Sequence, residues 1–329
     1  AYAGGALVVG VVAWAVVWVL LQVALVTFAL IVALLLAALL DPLARLLHRR
    51  LPAWAAALLS VLLLVGVVLG TGYLLTRRVT GQLGNLVSSL TASIDQIRNW
   101  LVNGPLGLAP QTVDQVANQI VGALQSAAPN GFAAAATLIA VLGGVVIALF
   151  VLFFLLKDGT GMWRWLVGTA PARYRERVDE AGRRAWDTAS RYMVGLVLIA
   201  LIDAVLIGAA LFALGVPLAM SLTVLIFFGA FVPFLGAFVS GLVAALVTLV
   251  SKGLIAALIV VGVTVVVQNL EGNVLAPLIQ GHQLRLHPVV ILVVVTAGYL
   301  LFGIAGAVVA VPVAAVTYRV GSYLHRPDP

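Results

Sequence analysis

The feature that most constrains this chain is a stretch of 127 residues, 192–318, that contains only four formal charges. They are Asp203, Lys252, Glu271 and Arg285. Roughly a quarter of the residues in a soluble domain are charged, so such a stretch is typical of protein embedded in lipid. An ionisable group inside a membrane segment costs about 2.5 kcal/mol or more by insertion scales. The two carboxylates of the stretch are therefore the first candidates for function.

The composition of the whole chain indicates the same environment. It is 64% hydrophobic and 9% charged, a combination that fits a polytopic membrane protein. The apolar runs exceed the roughly 20 residues that cross a bilayer as a helix, and none alternates in polarity as a membrane barrel strand does. The net charge of +7 lies in short loops beside apolar runs, which indicates positive-inside topology and not a nucleic-acid partner. We predict an all-α polytopic membrane protein in contact with the lipid bilayer.

Hydropathy and charge divide the chain into five parts. In order, they are N-terminal transmembrane helices 1 to 3 (1–75), an amphipathic non-cytoplasmic helical insert (76–130), transmembrane helix 4 (131–156), a cytoplasmic amphipathic basic helix (157–191) and a C-terminal transmembrane core (192–329). Within the first part, residues 6–40 are long enough for two helices, and 41–53 reads as a basic cytoplasmic loop that starts at Asp41-Pro42. This topology places both termini in the cytoplasm.

The segment 157–191 has the densest charge in the chain. Its apolar residues recur on one helical face, which predicts a helix lying at the membrane interface. No glycine-rich phosphate loop accompanies it, so anionic lipid headgroups are a better partner than a nucleotide. The residues predicted to contact headgroups are Arg173, Arg175, Arg177, Arg183 and Arg184.

Three interruptions are predicted in the C-terminal core, at 231–236, 268–288 and 303–306. The first and third divide the long apolar segments 218–250 and 289–320, each of which is either one kinked span or a hairpin of two half-helices. Glycine and proline release backbone groups from the helical pattern and produce such breaks. The predicted hinge or break residues are Pro233, Gly236, Gly272, Pro277, Gly303, Gly306 and Pro312.

The strongest chemical constellation is the polar run at 268–273. It places the carboxylate of Glu271 among the amides of Gln268, Asn269 and Asn273, next to freed backbone carbonyls. Secondary transporters place substrate and coupling ions at broken helices of this kind. Carboxylate and amide oxygens can bind Na⁺, and a protonated carboxyl group can carry H⁺. Asp203, near the middle of its span, has no ionisable neighbour within two turns and needs a partner from another segment, for which the Glu271 cluster is one candidate.

Other classes of chemistry lack their residues. The chain has no cysteine, and its four histidines show no metal-ligand spacing, so no metal or other cofactor is predicted beyond a coupling ion. The sequence contains no HExxH, GxGD or GxSxG motif and no Walker motif. We therefore predict that the protein is not an enzyme and does not itself hydrolyse ATP.

Several runs together resemble one known family. They are Phe153-Phe154-Leu155-Leu156-Lys157-Asp158-Gly159, Tyr174-Arg175-Glu176-Arg177-Val178, Tyr192-Met193-Val194-Gly195, Val232-Pro233-Phe234-Leu235-Gly236, Gln268-Asn269-Leu270-Glu271-Gly272-Asn273-Val274-Leu275-Ala276-Pro277, Leu286-His287-Pro288, Gly303-Ile304-Ala305-Gly306 and Val311-Pro312. In this order they resemble the autoinducer-2 exporter family of bacterial and archaeal membrane proteins. Two positions depart from its pattern, because Leu196 and Asn269 stand where many members carry glutamine.

The resemblance implies a fold and a class of function. It implies about eight transmembrane helices with broken or re-entrant C-terminal segments, a homo-oligomer that is a pentamer, and a prokaryotic inner-membrane location. It also implies secondary transport. We expect export of a small polar solute, an autoinducer-2-like signal or a metabolite, through a site around Glu271 and Asp203. Na⁺(Li⁺)/H⁺ antiport is the alternative, and an oligomeric channel or a non-transporting membrane scaffold is a third.

Overall fold

The computed structural model describes residues 24–79, 131–232, 235–279 and 287–325, and within them every regular element is helical. The α-helices are α1 (Ala24–His48), α2 (Ala53–Val79), α3 (Gly131–Gly168), α4 (Arg175–Ala213), α5 (Ala219–Gly229), α6 (Leu235–Lys252), α7 (Leu254–Leu270), α8 (Ala276–Ile279) and α9 (Pro288–Leu324). Six helical stretches of this described part are long and apolar enough to cross a membrane. The predicted all-α membrane class is confirmed. The helix predicted before residue 24, most of the insert at 76–130, and Pro233 lie outside the described residues.

The chain forms two compact units. Unit 1 consists of residues 1–64, 135–193 and 309–329, and unit 2 consists of 65–134 and 194–308. Both predicted carboxylate candidates, Asp203 and Glu271, belong to unit 2.

In unit 1, α1 extends further than predicted. The helix was expected to end at Asp41-Pro42, but it continues through Pro42 to His48. Proline in a helix interior removes one backbone hydrogen bond, which costs stability. The carboxylate of Asp41 offsets part of this cost, since it pairs with Arg45 one turn later and accepts a hydrogen bond from the Trp186 indole at 3.1 Å. The predicted loop at 41–53 is accordingly shortened to residues 49–52.

The predicted cytoplasmic helix and the fifth span form one helix. α4 runs without interruption for 39 residues, from Arg175 to Ala213. Its first turns pack against the end of α3, where the Trp163 indole donates a hydrogen bond to Asp179 at 2.8 Å. Gly182 makes this contact possible, because a Cβ there would lie 1.9 Å from the Trp163 ring. The high charge density of 157–191 therefore does not coincide with a helix end before the fifth span.

The segment 218–250 is a helical hairpin and not one kinked span. Helices α5 and α6 pack against each other, and Gly229 and Gly236 meet where they cross. A Cβ on Gly236 would lie 1.6 Å from the Gly229 carbonyl oxygen, so glycine is required at this crossing. With 11 residues, α5 is about 16 Å long and too short to cross a hydrocarbon core of about 30 Å.

A second hairpin lies within α9. The helix is interrupted at Phe302 (φ −137°, ψ 20°) and Gly303 (φ 62°, ψ −149°). A Cβ on Gly306 would lie 2.1 Å from the Gly298 carbonyl oxygen, although residues eight apart in an uninterrupted helix are about 12 Å apart. The chain therefore turns back on itself at 302–303. Pro312, also predicted as a break, lies inside the helix, and the interruption is at Gly303.

The apolar core of unit 2 joins four helices. Buried side chains from α4, α5, α6 and α7 form it together with Val216 of the turn between α4 and α5, namely Ile207, Leu211, Val216, Ala219, Leu222, Ile226, Ala244, Val247, Val260 and Val267. The turns at 214–218 and at Gly253 close one end of this core. Gly215 (φ 61°) and Gly253 (φ 85°) supply the left-handed or extended backbone that these turns need. The opposite end of the core faces the tip of the first hairpin.

We predict that Gly236→Ala destabilises the fold more than any glycine substitution on an open helix face. The added methyl group would displace the Gly229 backbone, and overpacking of this kind costs about 1–3 kcal/mol. Thermal unfolding in detergent measures the effect. Gly262→Ala is the matched control, because a Cβ there meets nothing within 4 Å and alanine favours the helix. Equal unfolding temperatures for the two variants would contradict the close crossing.

Candidate functional site

The structure brings together the two carboxylates that the sequence singled out. Asp203 lies in α4 and is 1% exposed, and Glu271 follows α7 and is partly buried. Their carboxyl groups face each other closely enough for a side-chain hydrogen bond. Two carboxyl groups can form such a bond only when one of them carries a proton. The two carboxyl groups are therefore neighbours inside unit 2.

Helix periodicity explains how the pair is formed. Asp203 lies one turn from Ile207 on α4, and Glu271 lies one turn from Val267 at the end of α7. Ile207 and Val267 belong to the same buried core. Because residues four apart share a helix face, both carboxylates continue the faces that form this core. The pair thus occupies the end of the core that lies away from the turns at 214–218 and Gly253.

Asp203 has spare hydrogen-bonding capacity. Its Oδ1 atom is buried, and among the described residues no protein group hydrogen-bonds to it. A buried acceptor without a partner costs roughly 1–3 kcal/mol, so such atoms are rare in native structures and call for an explanation.

Beyond Glu271 the helix widens and does not break. Residues Glu271–Leu275 form a π-helical turn in which the N–H of Ala276 bonds to the Glu271 carbonyl, and α8 continues the helix to Ile279. Pro277 has no N–H to offer the preceding turn, which explains why the regular pattern fails here. The first part of the break predicted at 268–288 is therefore a wide turn, a feature that recurs at functional sites, and residues 280–286 of that break lie outside the described residues.

The three predicted amide ligands have different settings. Asn269 donates its side-chain N–H to the Val265 carbonyl at 2.8 Å, and Asn273 donates to the Asn269 carbonyl at 3.0 Å. Each side chain therefore uses one N–H for a bond to its own helix, and its amide oxygen remains an acceptor. Both side chains are exposed on the surface of the chain, whereas Gln268 is partly buried. Gly272, in the π turn, has open space where a Cβ would lie.

The five arginines predicted to contact lipid headgroups are largely engaged within unit 1. Arg175 donates to the carbonyls of Gly168 and Ala170 at the end of α3, and Arg177 donates to the Leu324 carbonyl at the end of α9. These bonds satisfy carbonyl groups that helix ends leave without partners.

The other three arginines make side-chain contacts. Arg183 pairs with Asp179 and Glu180, and Arg184 pairs with Glu180 while its guanidinium lies 4.2 Å from the centre of the Tyr323 ring. Arg173 lies over the neighbouring Tyr174 ring at 4.4 Å. Arg175, Arg177 and Arg184 thus hold the ends of α3 and α9 against α4, whereas Arg173 and Arg183 contact residues at most four positions away. Headgroup contact remains a prediction.

Sequence reasoning missed the glycines whose small size lets two segments of the chain pack closely. Gly229, Gly298 and Gly182 each allow a close approach, and the first two form the hairpin crossings. Their only sequence signal is a glycine in an apolar run, which is common in membrane helices and carries no information about the partner. In the part of the chain that the structure describes, no three His, Asp or Glu side chains are grouped as a metal site.

Comparison with known proteins relates this chain to a family of membrane transporters. A family model described as AI-2E family transporter matches residues 6–325. The provisionally named transport protein MT0215 of Mycobacterium tuberculosis is 37% identical over 267 residues, which cover 79% of this chain and 72% of that protein. The provisionally named transport protein YueF of Bacillus subtilis is 27% identical over 288 residues, covering 82% of this chain and 76% of that protein. The family match includes both units.

We predict that Asp203→Asn leaves the thermal stability of the protein unchanged or raises it. The amide is neutral, has the size of the carboxyl group and can donate its N–H to the neighbouring Glu271 carboxylate, so the cost of burying an ionisable group is removed. Ile207→Ala, one turn away, is the packing control and should cost about 2–5 kcal/mol. Unfolding curves in detergent compare the two variants. A loss for Asp203→Asn as large as that for Ile207→Ala would indicate a structural role for Asp203.

We predict that Arg177→Ala loosens the end of α9. Without the guanidinium bond to the Leu324 carbonyl, the last helical turn should open about fivefold more often, as expected for a loss of about 1 kcal/mol. Hydrogen exchange of the amides at 319–325 measures this opening. Arg173→Ala, which removes only a contact with neighbouring Tyr174, should leave the exchange unchanged. Unchanged exchange in both variants would favour the headgroup role for Arg177.

Proposed function

The chain belongs to the AI-2E family of transporters, and from this premise we propose that it is a secondary transporter that exports a small polar solute through the site around Asp203 and Glu271. It is a multi-pass membrane protein, and its relatives are named as transport proteins, which fits a protein that is not an enzyme. The observation that carries the proposal is the pair of neighbouring carboxyl groups, of which Asp203 is buried and has an unpartnered Oδ1 atom among the described residues.

The setting of the pair supports transport over a structural role. A carboxyl group inside a membrane protein is expensive and is by default a functional group. Here two of them meet beside a π turn and at the end of a core that also faces a re-entrant hairpin tip. Non-helical backbone at membrane depth persists where it lines a cavity or is buried in protein. Together these features supply hydrogen-bonding groups for a polar solute and a proton that can be exchanged.

Cation/proton antiport is the second candidate. It is favoured by the donor set, because the carboxylates of Asp203 and Glu271 and the free amide oxygens of Asn269 and Asn273 are all oxygen ligands. A hard cation such as Na⁺ would replace the proton that the pair holds. In this reaction the cation and H⁺ compete for one site. In solute export, the organic molecule must instead fit beside the pair.

The wider assignment follows from the family. We propose that the protein functions in the inner membrane of a prokaryote as a homo-oligomer, a pentamer, with both termini in the cytoplasm. Mass measurement of the detergent-solubilised protein tests the pentamer, and labelling at each terminus in intact cells tests the orientation. An oligomeric channel or a non-transporting scaffold is the remaining alternative. It lacks a supporting observation of its own.

We predict that Glu271→Gln lowers transport by purified protein in liposomes at least tenfold. The amide cannot exchange a proton and leaves Asp203 without its carboxyl partner. Flux is measured with pH gradients, Na⁺ gradients and radiolabelled small polar solutes. Glu180→Gln, at a surface ion pair of unit 1, is the matched control and should transport normally. Export predicts solute flux through the wild type, whereas antiport predicts only Na⁺-dependent proton movement. No flux of either kind would support the scaffold.

A further inference from the structure

A third polar side chain lies at the same end of the core as the carboxyl pair. Ser240 is on α6, one turn before Ala244, and is 2% exposed. Ala244 shares the core with Ile207 and Val267, from which Asp203 and Glu271 are each one turn away. On each helix, the polar residue lies one turn from its core residue in the direction away from the turns at 214–218 and Gly253. Ser240 therefore lies on the side of the core where the carboxyl pair lies.

Packing between the helices supports this register. A Cβ on Gly208 of α4 would lie 2.5 Å from Oγ1 of Thr223 on α5, so these positions are adjacent. Since α4 and α5 run in opposite directions, Asp203, five residues before Gly208, lies level with Phe228, five residues after Thr223. The next residue, Gly229, faces Ser240, because a Cβ on it would lie 3.0 Å from the Ser240 Oγ. The position of Ser240 beside the level of Asp203 thus follows from observed contacts.

The other helix pair locates Glu271 relative to Ser240. A Cβ on Gly241 of α6 would lie 3.0 Å from the methyl group of Thr264 on α7. These two helices are joined at Gly253 and also run in opposite directions. Ser240 is therefore level with Val265, and Glu271 lies six residues, about 9 Å, further along α7 toward the tip of the first hairpin. Ser240 is thus beside the level of Asp203 and about the length of a small solute from that of Glu271.

The Ser240 hydroxyl is poorly satisfied for a buried group. Its contact within the described residues is a long one, 3.4 Å to the Ala237 carbonyl. Two other buried hydroxyls make short bonds to the carbonyl one turn back, Ser60 to Ala56 at 2.9 Å and Thr248 to Ala244 at 2.7 Å. The buried Oδ1 atom of Asp203 is also without a partner. Two buried polar groups with spare capacity at one end of a core indicate a place that a ligand completes.

We propose that Ser240 is a third ligand-binding residue of the Asp203–Glu271 site, where its hydroxyl contacts the transported species. The proposal rests on the proposed function and adds a residue that the sequence did not indicate. A hydroxyl both donates and accepts hydrogen bonds, whereas an ionised carboxylate only accepts. Ser240 can therefore bind an acceptor atom of a solute that the carboxylate cannot bind, or give an oxygen to a cation.

The first test measures the position of Ser240 without requiring transport. Because the chain contains no cysteine, Ser240→Cys creates a single labelling site. Its rates of reaction are compared for the cationic reagent methanethiosulfonate ethylammonium and the neutral reagent methyl methanethiosulfonate. A nearby carboxylate attracts the cation, so the rate ratio should fall severalfold when Asp203→Asn is added. Ser60→Cys, at a buried serine of unit 1, should show no change with Asp203→Asn.

The second test measures the role of the hydroxyl. Ser240→Ala in liposomes should raise the KM for the transported solute or ion about fivefold to tenfold, the loss expected for one hydrogen bond, and change the maximal rate less than about twofold. Ser60→Ala, the same chemical change at the same burial, should leave both unchanged. Size-exclusion profiles confirm that each variant is folded. If Ser240→Ala does not fold, Ser240→Cys takes its place in the flux assay.

Each outcome bears on a different claim. The position assigned to Ser240 is overturned if Ser240→Cys does not react, or if the ratio of the two reaction rates is unchanged when Asp203→Asn is added. Wild-type KM in Ser240→Ala overturns its binding role while leaving transport through Glu271 intact. Absence of flux in the wild type overturns the proposed function and the binding role with it, and the labelling result then still reports whether Ser240 lies near Asp203.

Discussion

The apolar core of unit 2 is the constraint on which the site depends. Ile207 of α4 and Val267 of α7 both belong to it, and a carboxylic acid lies one helical turn from each of them, on the side away from the closed end of the core. A buried charge is costly, and two neighbouring carboxyl groups can lower this cost by a hydrogen bond when one of them is protonated. The apolar core therefore acts as the frame that fixes the separation of two acids which would otherwise repel each other.

The sequence was sufficient to find the acids but not their surroundings. Charges are rare in 192–318, so Asp203 and Glu271 stand out, and Glu271 was named among the possible partners of Asp203. Periodicity also gave the helical class. Ser240 could not be found in this way, because serine is common in membrane helices and its importance comes from the poor hydrogen bond that its neighbours leave it.

The same limit explains the errors in element boundaries. Pro42 and the acid before it suggested a helix end, yet the contacts of Asp41 with Arg45 and Trp186 carry the helix onward. Whether 218–250 formed a hairpin could not be decided either, because the answer lies in a contact between two glycines. Glycine has no side chain to reveal its partner. Contacts between backbone atoms of distant residues are the features of a fold that a single sequence predicts least well.

The π turn at Glu271–Leu275 has a consequence for how this region can change in evolution. A π turn holds one residue more than the α-helical turn it replaces, so it is equivalent to a one-residue insertion in a helix. Deleting one residue there would convert the π turn into an ordinary α-helical turn and leave the helix beyond it in nearly the same orientation relative to α7. The same deletion inside α7 would instead rotate everything beyond it by about 100°. The segment after Glu271 is therefore the place where this helix can change its length by one residue without changing which face follows.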